Sequence, residues 1–139
     1  MTYAVQADLV ARFGESEVVQ LTDRSNIGVI DQAVLARALQ DADAEIDGYI
    51  GSVVRLPLTR VPRILVGYAC DIARYRLYAD DATEQVQQRY DRAIKFLTMV
   101  GQGKLSLGVD TDGDPVSTAG GVNTSAPGRV FNRRNMAGF

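Results

Sequence analysis

The sequence contains no histidine, no tryptophan and a single cysteine, Cys70, among its 139 residues. The absence of histidine removes the commonest general base and the commonest transition-metal ligand of proteins. One cysteine allows neither an intramolecular disulfide nor a structural zinc site, and it fits a reducing compartment. The sequence also lacks the G-x-S-x-G turn of hydrolases and the Walker-type phosphate loop. These absences leave the sequence without a recognisable catalytic motif or structural zinc site, although they do not exclude catalysis.

Long hydrophobic runs are missing as well. No apolar stretch approaches the roughly 20 residues that span a bilayer. The amino terminus, MTYAVQADLV, has no basic region followed by an apolar one, so it does not read as a secretory signal. These features predict a soluble protein that is made in the cytoplasm and has no membrane partner.

An excess of basic residues is absent too, because the formal net charge is −2. General nucleic-acid binders normally carry a strongly basic face, so this balance argues against that class. The charge is unevenly distributed, however. Residues 110–128 contain three aspartates and no base, whereas residues 129–139 contain three arginines and no acid. The chain therefore ends in a small basic segment behind an acidic one.

Helical periodicity dominates the first three quarters of the chain. The apolar spacing predicts two short helices separated at Gly14, then helices over about 31–49, 62–79 and 82–100. Alternating apolar residues predict a short strand over 104–109. The expected fold class is all-α: a compact bundle of about four helices with a short β-strand or hairpin and an extended C-terminal arm.

Helix boundaries carry recognisable local signals. Asp31 is the expected N-cap of the helix over 31–49, and Pro62 suits the first residue of the helix over 62–79. Asp81 and Glu84 have the spacing of a capping box, and Gly101 is expected to end the last helix. The helix over 62–79 is apolar on several faces, which is typical of a central helix or of one shared with a partner. Cys70 lies within it and is expected to be a buried structural thiol.

The stretch ARYRLY, residues 73–78, allows two interpretations. Its two arginines and two tyrosines resemble a surface that contacts phosphates and stacks on bases. Packing of the arginine stems and tyrosine rings at the edge of a core explains the same pattern, and we favour this second interpretation.

Four carboxylates alternate along the helix over 31–49. They are Asp41, Asp43, Glu45 and Asp47. This spacing distributes them around the helix, so a solvated face is the favoured interpretation, and a docking face for a basic partner is the alternative. The arginines at the end of a neighbouring copy would be suitable partners for such a face.

The aspartates of DTDGDP, residues 110–115, match the first, third and fifth positions of an EF-hand loop. The sixth position, normally glycine, is Pro115, and the twelfth, normally glutamate, is Gly121. Flanking helices are not expected either. A solvated turn is therefore favoured over a calcium site.

Small and turn-forming residues fill 113–128, but the last eleven residues regain large side chains. We divide the chain into a helical domain (1–109), a flexible linker (110–128) and a C-terminal docking peptide (129–139). The residues expected to bind a partner are Arg129, Phe131, Arg133, Arg134, Met136 and Phe139. In the alternative, this peptide folds back on its own domain.

Several stretches together resemble a known family. They are TYAVQADLVARFGESEVVQLTDR, AEIDGYI, LPLTRVPRILVGYACDIARYRLY and GQGKLSLG, with the closing RVFNRRNMAGF. In this order they resemble the Mu-like phage head–tail connector (adaptor) proteins. The likeness covers about 1–109 and the last eleven residues.

This resemblance implies a small helical adaptor without enzymatic activity or cofactor. It would form a ring, typically of twelve copies, in the neck of the virion after assembly in the host cytoplasm. Its partners would be the portal protein and a stopper or tail-completion protein, with packaged DNA passing through the channel without sequence-specific binding. The main alternative is a small nucleic-acid-binding regulatory protein that uses residues 73–78 and the basic terminus; an enzyme with carboxylate chemistry is a third.

Overall fold

Helices account for nearly all regular structure in residues 1–109, the part of the chain that the computed structural model describes. They are α1 (Gln6–Phe13), α2 (Glu15–Thr22), α3 (Gln32–Ile50), α4 (Arg63–Tyr78) and α5 (Glu84–Gly101), with a 3-10 turn at Ala79–Asp81. The mostly helical fold that the periodicity predicts is thus present. The strand expected over 104–109 is not confirmed, since these residues form bends and irregular chain with only Val109 in a β-bridge position. The proposed linker, the calcium-like stretch and the docking peptide lie outside the described residues.

α4 packs between α3 and α5 and runs antiparallel to both. Leu77, near the end of α4, lines the same cavity as Val34, near the start of α3. Gly101, at the end of α5, lies against Tyr49, near the end of α3. The domain therefore has two ends. The loop end contains residues 23–31, and the Pro62 end contains the chain between α3 and α4 together with residues 102–109.

The central position of α4 explains its broad apolar coverage. Its buried residues lie on more than one face: Leu65, Ala69, Cys70, Ile72, Ala73 and Leu77. Cys70 is fully buried, and burial raises the pKa of its thiol to about 12. The expectation of a buried structural thiol is met. Ile64, in contrast, faces outward and is 44% exposed.

Gly101 ends α5 and also allows close packing of α5 against α3. A Cβ added there would lie 2.6 Å from the carbonyl oxygen of Tyr49, closer than real Cβ atoms come to other atoms. The helix does end at Gly101, as expected. The residue is glycine because the backbones of α3 and α5 approach each other at this point.

Capping is confirmed for α3 and corrected for α5. The Asp31 carboxylate accepts hydrogen bonds from the backbone N–H groups of Ala33 and Val34, at 2.9 and 3.2 Å. The predicted capping box at Asp81 is wrong. Asp81 belongs to the 3-10 turn, and Thr83 is the N-cap, its hydroxyl accepting from Val86 N at 3.4 Å. The extra turn moves the start of α5 along the chain.

The break between α1 and α2 occurs at Gly14, whose φ of 87° lies in the left-handed region that glycine adopts readily. Leu9 and Val18 are buried on either side of it. Val5 lies one turn before Leu9, and its helical spacing predicts a face shared with Leu9 and Phe13, but it is 52% exposed. The residues before α1 are the less obvious contributors, because Tyr3 and Ala4 are both buried in the core.

Candidate functional site

Six residues of the terminal peptide are expected from the sequence to bind a partner. Arg129, Phe131, Arg133, Arg134, Met136 and Phe139 all lie outside residues 1–109. The candidate binding surfaces of the helical domain lie at its two ends.

A short, well-defined loop forms the loop end. The Asp23 carboxylate accepts hydrogen bonds from the backbone N–H groups of Gly28 at 2.6 Å and Ile27 at 3.1 Å. These bonds lower the pKa of Asp23, and the bond from Gly28 has the larger effect. Asn26 and Gly28 adopt left-handed φ angles of 53° and 79°, which these two residue types tolerate. The turn-forming TDRSNIG sequence therefore fixes the loop locally.

This loop directs two aliphatic side chains into solvent. Ile27 is 72% exposed and Val29 is 56% exposed, although both belong to residue types that are usually buried. A single exposed aliphatic residue is ordinary, but two on one shaped loop form a small protruding apolar surface. Arg24 adds a positive charge to this end of the domain.

A concave surface, the Pro62 groove, lies at the other end. It encloses about 520 Å³ and is lined by Arg60, Val61, Pro62, Arg63, Leu107 and Val109. Both arginine side chains are exposed, and neither forms an ion pair within residues 1–109. Ile64 and Leu105, exposed by 44% and 38%, belong to the same end of the domain. The groove thus combines apolar walls with two guanidinium groups.

The arginines and tyrosines of residues 73–78 are engaged inside the domain. The Arg74 guanidinium donates to Glu17 at 2.7 Å and lies 4.3 Å from the centre of the Phe13 ring. Tyr78 donates its hydroxyl hydrogen to the same carboxylate at 2.7 Å. Because these polar groups already have partners, the packing interpretation of this stretch holds for Arg74 and Tyr78.

Tyr75 and Arg76, also in this stretch, contact α3 and α5. Arg76 donates to Glu45 at 2.8 Å, and the Tyr90 hydroxyl donates to the same carboxylate at 2.7 Å. Tyr75 stacks on Tyr90 with ring centres 4.0 Å apart. A nucleic-acid surface would need these groups to be available, so the regulatory alternative loses its main structural support.

The carboxylates of α3 differ from the solvated face that their spacing suggested. Only Asp41 is exposed. Asp43 is buried and accepts from the backbone N–H of Tyr3 at 2.9 Å, while Asp47 accepts from the Tyr3 hydroxyl. Burial raises the pKa of Asp43, an effect that the bond from Tyr3 N opposes. These aspartates hold the amino-terminal residues, and local periodicity offered no signal of that long-range pairing.

Residues 1–109 contain neither a cluster of potential metal ligands nor a candidate membrane-spanning helix. Within that range no cluster of three histidine, cysteine, aspartate or glutamate side chains is placed to hold a metal ion. No helix there has the length and apolar character needed to cross a bilayer.

Comparison with known proteins gives a consistent result. A family model described as "Bacteriophage Mu, Gp36" matches residues 3–126. The chain is 35% identical over 137 residues to the Mu-like prophage FluMu protein gp36 of Haemophilus influenzae, covering 99% of this chain and 97% of that protein. It is 38% identical over 112 residues to gene product J of Escherichia phage Mu, covering 80% and 79% of the two chains.

Proposed function

Because this chain belongs to the bacteriophage Mu Gp36 family, we propose that it is a structural head–tail connector of a tailed phage. In this proposal, copies of the chain form a ring of about twelve between the portal protein and a stopper or tail-completion protein. The ring lies in the neck of the virion and lines the channel for DNA. The role is architectural and involves no catalytic step.

The observation that carries this proposal is the presence of exposed apolar residues at both ends of the helical domain. Ile27 and Val29 protrude at the loop end, whereas Ile64 and Leu105 are exposed at the Pro62 end. A protein that joins two bodies needs a binding surface for each. Covering exposed aliphatic groups of this kind with a partner removes apolar surface from water and so favours association.

The charge distribution supports passage of DNA without tight binding. The net charge is −2, and Arg74 and Arg76 are paired with Glu17 and Glu45. Affinity for nucleic acid depends on unpaired basic groups that neutralise phosphates. A channel lining must let the duplex slide, and the negative net charge together with the pairing of Arg74 and Arg76 fits that requirement.

The C-terminal peptide is assigned the docking role in this proposal. Phe131, Met136 and Phe139 would supply apolar anchors, and the three arginines would fix the register. Short segments that order on binding commonly use a few large side chains in this way. A chain ending at Pro115 is expected to keep its helical circular dichroism and to fail to join the head–tail assembly. Loss of the fold in that truncated chain would instead favour a peptide that folds back on its own domain.

The proposal is tested by native mass spectrometry and negative-stain imaging of the full chain, alone and mixed with the portal protein of the same phage. We expect a ring or a ring–portal complex. A chain that stays monomeric and associates with neither portal nor tail proteins contradicts the assignment.

Variants at each end sharpen this test. Ile27→Glu places a charge at the loop end, and Ile64→Glu places one at the Pro62 end. Each variant is expected to lose the partner that binds its own end and to keep the other partner. Ser25→Glu and Thr59→Glu add the same charge at exposed neighbouring positions and serve as matched controls. Loss of the same contact in all four variants would show that charge alone, rather than apolar burial, disturbs assembly.

A further inference from the structure

We propose that the Pro62 groove is the docking site of the acidic segment that directly follows it in the same chain, residues 110–116. This inference concerns the single protomer and does not depend on ring formation. It assigns a binding role to Arg60 and Arg63, for which residues 1–109 provide no ionic partner.

The electrostatics of the groove select an anionic occupant. Arg60 and Arg63 both line the groove and are exposed, and Arg63 is the first residue of α4. Pro62 is the N-cap of α4 and makes no side-chain capping bond, so the positive end of the helix adds to the two guanidinium groups. Guanidinium groups bind carboxylates with well-defined, often paired hydrogen bonds.

The sequence that follows the groove has the complementary charge. Val109 is itself a wall of the groove, and Asp110 comes next. Residues 110–114 contain three aspartates and no base, which gives the segment three negative charges against two positive ones. Pro115 and Val116 then provide apolar groups that match the apolar walls formed by Val61 and Leu107.

Chain connectivity favours this occupant over an anion that arrives from solution. A short tether holds the carboxylates near the groove at an effective concentration on the order of millimolar. Surface ion pairs that are individually weak can hold a tethered segment, because the tether has already removed most of its translational freedom. A free carboxylate or a phosphate would need a high concentration to compete.

Docking of this segment has a consequence for the terminal peptide. It fixes the start of the connection to residues 129–139 at the Pro62 end of the domain, rather than leaving it to reach either end. The peptide is then presented to a partner that lies beyond the Pro62 end, and the loop end stays free for a different contact.

Paramagnetic relaxation enhancement in the full-length chain tests the proposal. A nitroxide label on Ser117→Cys reports proximity, since Cys70 is fully buried and does not compete for the reagent. We expect the amide signals of Arg60, Val61 and Ile64 to lose intensity by about twofold or more relative to the reduced label, as a tethered contact requires. Unchanged signals at these three residues would overturn the proposal.

Charge reversal separates the proposed contact from simple tethering. In the Arg60→Glu, Arg63→Glu variant, the signal loss should fall to the level that tethering alone produces, and Asp110→Lys, Asp112→Lys, Asp114→Lys in that background should raise it again. Arg24→Glu with Arg37→Glu reverses two exposed arginines at the loop end and is the matched control. Signal loss that is undiminished in Arg60→Glu, Arg63→Glu shows that the arginines do not hold the segment.

A mixing experiment distinguishes the same chain from a second copy. Isotope-labelled protein without nitroxide is mixed with unlabelled protein that carries it. We expect no signal loss in the mixture, because the proposed contact is intramolecular. Loss of the Arg60 and Ile64 signals there would assign the groove to the segment of a neighbouring copy and overturn the proposal as stated.

Discussion

The amino-terminal segment, residues 1–22, and the α3–α4–α5 bundle are held in place by different forces. The bundle is joined by aliphatic side chains with zero to one per cent exposure, such as Leu65, Ile46 and Leu97. The amino-terminal segment also buries Leu9 and Val18, but its attachment includes directed polar contacts from Tyr3 and Glu17. One region therefore relies mainly on burial, and the other depends in addition on charges and hydrogen bonds.

This difference predicts how each region responds to change. Apolar burial does not depend on the protonation of the buried groups, and it weakens when side-chain volume is removed. Hydrogen bonds to charged groups fail when one partner loses its charge, because the other partner is left desolvated. Substitutions in the bundle should therefore lower global stability, whereas substitutions at the polar contacts should first release α1 and α2.

The largest expected effect is on the bundle. Leu65→Ala empties a fully buried site on the central helix and should lower the free energy of unfolding by about 2–5 kcal/mol. Urea titration followed by circular dichroism measures this change. Ile64→Ala, one residue earlier and 44% exposed, is the control and should cost far less. Equal losses in the two variants would mean that α4 is not the central helix.

Backbone approach within the bundle gives the next largest effect. Gly101→Ala places a methyl group 2.6 Å from the Tyr49 carbonyl oxygen and should destabilise the protein by about 1–3 kcal/mol, despite the higher helix propensity of alanine. Gly48→Ala is the matched control, since its Cβ would meet no atom within 4 Å. It should be neutral or stabilise α3 by up to about 1 kcal/mol. Thermal unfolding of both variants measures the contrast.

The polar attachment of the amino-terminal segment is tested by Glu17→Gln. Arg74 is 13% exposed and would lose its charged partner, so we expect a loss of about 1–2 kcal/mol after allowance for partial solvent screening. Hydrogen exchange should show faster exchange in α1 and α2, with α3–α5 still protected. Glu15→Gln, at an exposed position, is the control. Uniformly faster exchange across all helices would contradict the separation of the two regions.

Local sequence signals predicted the bundle far better than the amino-terminal attachment. The periodicity of Leu35, Ala42 and Ile46 and the cap at Asp31 are properties of neighbouring residues, and α3 appears where they place it. The bonds from Tyr3 to Asp43 and Asp47 join residues 40 and 44 positions apart, and no short-range pattern encodes such pairs. Because of them, Asp43 and Asp47 hold Tyr3 rather than forming a solvated face.

The candidate site was predictable in part for the same reason. The turn-forming residues around Asn26 are typical of a loop, but the exposure of Ile27 depends on the position of that loop in the fold. The Pro62 groove combines residues 60–63 with residues 107–109, which only tertiary packing brings together. The docking peptide over 129–139 stays a prediction from the sequence.

The smallest expected effect is the loss of stability at alkaline pH, to which individual tyrosines contribute. Burial, followed by the hydrogen bond to Glu45, raises the pKa of Tyr90 from 10.0 to about 12. The unfolded chain therefore releases this proton at lower pH than the folded chain, and the folded state binds more protons between these values. Stability that is fully present below pH 10 is lost as pH rises towards 12, by the linkage between proton binding and unfolding.

Tyr90→Phe removes this titration and should flatten the decline of the melting temperature between pH 10 and 12, although its melting temperature at pH 7 is lower. Tyr3, whose pKa is also raised, chiefly by burial, should give the same flattening when replaced by phenylalanine. Ile72→Val, which weakens the core without removing a titratable group, should keep the slope of the original protein. A Tyr90→Phe slope as steep as that of Ile72→Val would exclude Tyr90 as a source of the alkaline destabilisation.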